Sequence, residues 1–187
     1  QIPETSQFQR SFGRGSTVYL NKHFRLMPLG VAVVVCCGTF PTWNAYPAMF
    51  ANLATGNPVL IKPHPNGILP MAIVVQTCRS ALAEVGMDPN LVQLVPDEQS
   101  KPMTVALLQH ADTKIIDFTG SPEFGSWIER SFTNKLVFTE TAGCNSVVVE
   151  STDNIDGMLN AIAQSLCLFS SQMCTSAQNI FIPKTGI

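Results

Sequence analysis

Cys174 lies among small and amide side chains, in Phe169-Ser170-Ser171-Gln172-Met173-Cys174-Thr175-Ser176-Ala177. The stretch follows a helical apolar pattern and precedes a strand-like run over residues 179–183. A thiolate at such a hand-over can attack a carbonyl carbon. A cysteine can equally be a small buried hydrophobe, and the stretch alone leaves both readings open. Four upstream features could join it. The amide of Asn44, in Pro41-Thr42-Trp43-Asn44-Ala45-Tyr46-Pro47, could donate to an oxygen or cap a helix. Lys62, in Ile61-Lys62-Pro63, could reach a ribose or phosphate, or end in solvent. In Thr119-Gly120-Ser121-Pro122-Glu123-Phe124-Gly125, Gly120 lets backbone approach a ligand and Ser121 offers a hydroxyl. The helix that opens there presents free N–H groups and positive potential to a phosphate; a plain turn is the alternative. Glu140, followed by Thr141-Ala142-Gly143, could act as a general base or be an exposed carboxylate.

These residues need elements to hold them. A continuous apolar, β-branched run over residues 31–37 suits a strand buried on both faces of a parallel sheet. Further strands are predicted over residues 58–62, 91–95, 114–118 and 135–139. Helices are predicted over 46–54, 68–85 and 102–110, and from Pro122 onward. The second helix shows Ile68, Met71, Val75, Cys78, Leu82 and Val85 at helical spacing. Strands and helices alternate with short connections, which predicts an α/β fold: an open, doubly wound, mostly parallel sheet with ligands at the carboxyl ends of its strands. Asn44, Lys62, Gly120-Ser121 and Glu140 all fall at or just after such ends. Beyond Gly143 the pattern predicts a strand over 146–149, a helix over 155–169 capped by Asp153 or Asn154, and a strand over 179–182. Residues 1–16 read as an irregular arm, and 17–27 as an extended edge segment.

The chain has 187 residues, 45% hydrophobic and 13% charged, with net charge −2. That composition provides a sizeable core and implies no general attraction to nucleic acid or to an anionic membrane. The low charge share points to apolar surface covered by more chain or by another subunit. No apolar run reaches membrane-spanning length and no signal peptide is visible. The six cysteines lack zinc-site spacing, and the three histidines are scattered, so no metal is expected. An α/β pattern without a secretory signal points to reduced thiols in the cytoplasm.

Taken together and in this order, the motifs resemble the aldehyde dehydrogenase superfamily over about residues 17–187. Trp43-Asn44 with Pro47 resembles its Pro-Trp-Asn segment, and Ile61-Lys62-Pro63 its Lys-Pro cofactor strand. Phe118-Thr119-Gly120-Ser121, with Glu123 and Gly125, resembles its Phe-Thr-Gly-Ser-x-x-x-Gly turn. Glu140-Thr141-Ala142-Gly143 resembles its Glu-Leu-Gly-Gly box, and Ser171-Gln172-Met173-Cys174 its Gly-Gln-x-Cys box. The cysteine-rich first strand and Lys62-Pro63-His64-Pro65 resemble more narrowly the PaaN phenylacetate-degradation branch.

The resemblance implies NAD or NADP held by Lys62, Gly120, Ser121, Trp43 and Thr141. It implies Cys174 as nucleophile, Asn44 as oxyanion donor and Glu140 as the base that hydrolyses a thioester. It divides the chain into an arm with an oligomerisation strand (1–27), a dinucleotide-binding domain (28–143) and the start of a truncated catalytic domain (144–187). The substrate implied is an aldehyde, an aromatic-pathway semialdehyde if the narrower likeness holds, in a dimer or tetramer. Two alternatives stay open: a relative that passes the acyl group to coenzyme A, and a catalytically silent nucleotide-binding module. The chain also departs from the family pattern. Pro65 stands where the family often has a ribose-gripping Glu, which predicts NADP use at least equal to NAD. Thr141, Ala142, Cys144, Ser171 and Ser176 differ within the two boxes. The family's Glu-x-Phe-Gly-Pro segment does not occur in these residues, so the 187 residues alone are expected to be inactive.

Overall fold

The computed structural model describes residues 5–13 and 15–187. A hairpin opens the chain: β1 (Thr5–Phe12) pairs antiparallel with β2 (Ser16–His23) across a turn with Gly15 at φ 77°. This corrects the irregular arm expected over residues 1–16, of which 1–4 and 14 lie outside the described residues. Thr5–Phe12 has no apolar period because the hairpin has no core to face; β2 is exposed along its whole length.

The sheet follows, with β3 (Val31–Val35) at its centre. Around it lie β4 (Val59–Lys62), β5 (Val92–Leu94), β6 (Thr113–Gly120) and β7 (Leu136–Thr141), in the order β5-β4-β3-β6-β7 and all parallel. The alternation of β3 sets the two layers. Ala32 and Val34 face α1 (Ala45–Ala54) and α2 (Ile68–Glu84), packing with Met49, Met71 and Val75. Val33 and Val35 face α3 (Thr104–Gln109) and α4 (Pro122–Ser131), packing with Leu108 and Ile128. Helices on both faces make the sheet doubly wound, as the sequence predicts. The order reverses between β4 and β6 on either side of β3, which opens a crevice at the carboxyl ends.

The last segment forms a separate two-stranded parallel sheet of β8 (Ser146–Val148) and β9 (Asn179–Phe181), joined through α5 (Ile155–Cys167). Asn154, one of the two expected caps, accepts from Gly157 N at 2.8 Å. The helix stops at Cys167, short of residue 169, because Phe169, Ser170 and Ser171 turn left-handed at φ 49°, 56° and 60°. Among the described residues no helix is long and apolar enough to cross a membrane.

Candidate active site

A cleft of about 630 Å³ at the carboxyl edge of the sheet is lined by Asn44, Gly120, Glu140 and Cys174, with Cys37 and Gln178 beside them. Four of the eight residues picked out from the sequence therefore share one wall. Asn44 arrives by the short loop after β3, at the first turn of α1. Its side chain caps nothing, and its amide oxygen is buried without a partner. The capping alternative is thereby removed. Gly120 ends β6. Glu140 sits near the end of β7 opposite Thr119 and is exposed to the cleft.

Cys174 is exposed, on the irregular segment between the left-handed turn and β9. The side chain of Asn145 anchors that segment. Asn145 Nδ2 donates to Cys174 O at 2.5 Å and to Ser176 O at 3.1 Å, while Asn145 O accepts from Gln178 N at 2.8 Å. Gln178 Nε2 returns to Gly143 O at 3.2 Å, tying the cysteine segment to the turn after Glu140. The thiol and the carboxylate are thus positioned by one hydrogen-bonded junction.

The other sequence candidates lie elsewhere. Trp43 is 70% exposed and does not line the cleft. Ser121 accepts from Phe124 N at 3.3 Å, so its hydroxyl caps α4 above Pro122 and Glu123. Thr141 points away from Glu140 toward α4: a Cβ built on Gly125 would stand 2.7 Å from its Cγ2. Gly125 is therefore required for α4 to approach β7 this closely.

Lys62 does not end in solvent. It is 6% exposed, its Nζ lies 2.6 Å from Asp97 Oδ1, and it donates to Pro63 O at 3.0 Å. The pair forms a wall of a second cleft of about 230 Å³, shared with His64, Pro65, Asn66 and Glu98. His64 and Asn66 line both clefts and so join them. His64 Nδ1 accepts from Asn66 N at 3.2 Å, which leaves Nε2 as the donor of the neutral ring.

Ionisation separates the thiols. Burial, then the adjacent Cys37, pushes Cys36 up to about 12, and burial also raises Cys78. Asp117, on β6 and diagonal to Glu140, is raised to about 6 by burial and then by the Glu140 charge. Asp97, Asn145 and His64 are absent from the sequence-based set. Asp97 and His64 could have been found by position, since each follows a parallel strand at its carboxyl end. Asn145 gives no local signal, because its partners lie about thirty residues downstream. Among the described residues there is no group of three or more His, Cys, Asp or Glu side chains that could hold a metal ion.

Known proteins share this fold. The structure superposes on that of an NAD-dependent aldehyde dehydrogenase from Burkholderia multivorans with a TM-score of 0.84 and 44% identity, covering 100% of this chain and 34% of that one. A 1-pyrroline-5-carboxylate dehydrogenase of Oceanobacillus iheyensis is 29% identical over 175 residues, 87% of this chain and 32% of the relative. A 2-aminomuconic 6-semialdehyde dehydrogenase of a Pseudomonas species is 28% identical over 163 residues, 84% of this chain and 32% of the relative. The chain thus spans about a third of the length of proteins it matches. Residues 9–186, nearly the whole chain, match the family described by the motifs above, and the chain belongs to the aldehyde dehydrogenase family.

Proposed function

We propose that these residues are the cofactor-binding and nucleophile-bearing portion of an enzyme that oxidises an aldehyde to a carboxylic acid with NAD or NADP. One observation carries the reading: Cys174, Glu140 and the side-chain amide of Asn44 line a single cleft. The residues present fit a dinucleotide. The smaller cleft offers a buried cation–carboxylate pair and polar side chains suited to a sugar, and it joins the cleft that holds the thiol. Lys62, His64 and Gly120 would hold the dinucleotide, which when bound accepts hydride from the substrate carbon.

The chain's own residues do the rest. Cys174, as thiolate, adds to the aldehyde carbon, and the new C–S bond leaves an oxyanion. The Asn44 amide and the Cys174 backbone N–H receive that charge. Loss of hydride from the same carbon leaves a thioester on Cys174. Glu140 takes a proton from water, whose oxygen attacks the thioester; the C–S bond breaks and carboxylic acid departs. The Pseudomonas relative, named for 2-aminomuconic 6-semialdehyde, supports a semialdehyde as substrate. The exposed hairpin, with Phe8 and Tyr19, supports a homo-oligomer of the full-length protein.

The full-length enzyme tests this directly. Cys174→Ser abolishes aldehyde-dependent nucleotide reduction. Glu140→Gln retains a first-turnover burst but slows turnover by about 100-fold, as loss of a general base does. Wild type yields free acid whether or not coenzyme A is present. An acyl-CoA product, with no effect of Glu140→Gln, establishes the CoA-acylating alternative instead. For the silent module the readout is alkylation: iodoacetamide modifies Cys174 far faster than buried Cys36, and equal rates favour silence.

A further inference from the structure

Pro65 removes an acid from the Lys-Pro turn, and by sequence alone that opens the ribose site to a 2′-phosphate. The structure returns the acid from another strand. Asp97 follows β5, the neighbour of β4, and its side chain is 2% exposed against 7% for Lys62. One oxygen meets Lys62 Nζ at 2.6 Å, and the other accepts from Met103 N at 2.9 Å. The ammonium of Lys62 is therefore already matched inside the wall. Lys62 is the only Lys or Arg among the described residues lining this cleft; Lys101, on the same turn as Glu98, is exposed and does not line it. Glu98 adds a second carboxylate to that wall, and it is exposed. A sugar diol finds an acceptor there, whereas a phosphate dianion finds a neutralised cation and the Glu98 carboxylate, which accepts from Ser100 Oγ at 3.2 Å and forms no ion pair among the described residues.

We infer that the Lys62–Asp97 pair, with Glu98 beside it, replaces the carboxylate missing at Pro65 and makes the enzyme select NAD against NADP. The inference rests on the proposed reading of this chain as a dinucleotide-binding portion. Asp97 acts through the charge and placement of Lys62, so it is a positioning residue; Glu98 acts by repulsion.

The test is calorimetric binding of NAD and of NADP to the full-length protein, without aldehyde. Wild type binds NAD tighter than NADP by about tenfold or more, the scale of one unscreened like-charge contact near a protein surface. Asp97→Asn frees the Lys62 charge and narrows the ratio about tenfold, with NADP affinity now falling steeply as salt is added. Removing one member of a buried pair can unfold a protein, so Glu98→Lys, at an exposed position, gives an independent reading: it replaces the repelling carboxylate with a cation and shifts the NAD/NADP ratio about tenfold or more toward NADP. Wild-type affinity for NADP equal to or above that for NAD overturns the inference alone. So does an NAD/NADP ratio that neither substitution moves. Failure of wild type to bind either nucleotide overturns both the inference and the reading beneath it.

Discussion

Asp117 shows how one residue ties the sheet to the cleft. Burial is the main cause of its raised pKa of about 6, with Glu140 adding to it. An unfolded aspartate titrates near about 3.9, so the folded state holds the proton more tightly. Stability from this group is complete below about pH 4 and is lost as pH rises through about 6. The shift corresponds to about 3 kcal/mol, reduced to roughly 1–2 kcal/mol by water reaching a partly exposed carboxyl. Asp117→Asn is therefore expected to stabilise the protein by about 1–2 kcal/mol near pH 7.5 and by close to nothing near pH 4. Urea unfolding at the two pH values reads the difference; an equal gain at both would contradict the assignment. At this scale the sequence displayed Cys174, Glu140 and Asn44, because reactive side chains at strand ends are conspicuous. It hid Asn145, whose role comes from partners on another element, and it hid the pairing of Asp97 with Lys62, though the position of Asp97 after a strand was legible.

Elements were legible where burial dictates composition. The five sheet strands and four helices around them follow from apolar periodicity, and each boundary falls within a few residues of expectation. The hairpin strand β1 was not legible, since a ribbon exposed on both faces imposes no pattern. The end of α5 was misplaced by a left-handed turn built from Phe169, Ser170 and Ser171, none of them glycine. Packing of α4 on β7 gives the sharpest prediction at this scale. Gly125→Ala sets a Cβ 2.7 Å from Thr141 Cγ2 and 3.5 Å from the Phe118 ring. The expected loss is about 1–3 kcal/mol of stability, from overpacking. Thr141→Ser removes the opposing methyl, and in that background the same substitution should cost less than half as much. A double-mutant cycle by chemical denaturation measures the coupling; additive losses would show that α4 does not bear on Thr141.

The described residues form one well-buried sheet with two poorly buried appendages, the β1–β2 hairpin and the β8–α5–β9 segment. Val33 and Ile116 are 0% exposed, whereas α5 buries no residue and Val148 is 78% exposed. A two-stranded sheet without a packed face has little stability of its own. In the 187-residue chain, hydrogen exchange should show strong protection in β3 and β6 and almost none in β8, β9 and α5. Aldehyde turnover by that chain should be negligible, because Cys174 is carried by the second of these appendages. Uniform protection across the sheet and that appendage would refute the division. The place of β3 has a consequence for manufacture. Of the five sheet strands this central one is made first, yet its partner β6 begins only at Thr113, after β4 and β5 in the chain. On a ribosome adding about 5–20 residues per second, one edge of Val31–Val35 waits several seconds for its neighbour. An apolar strand with an open edge is a template for the wrong chain. Soluble yield is then expected to respond to that delay and to whatever shields the edge during it.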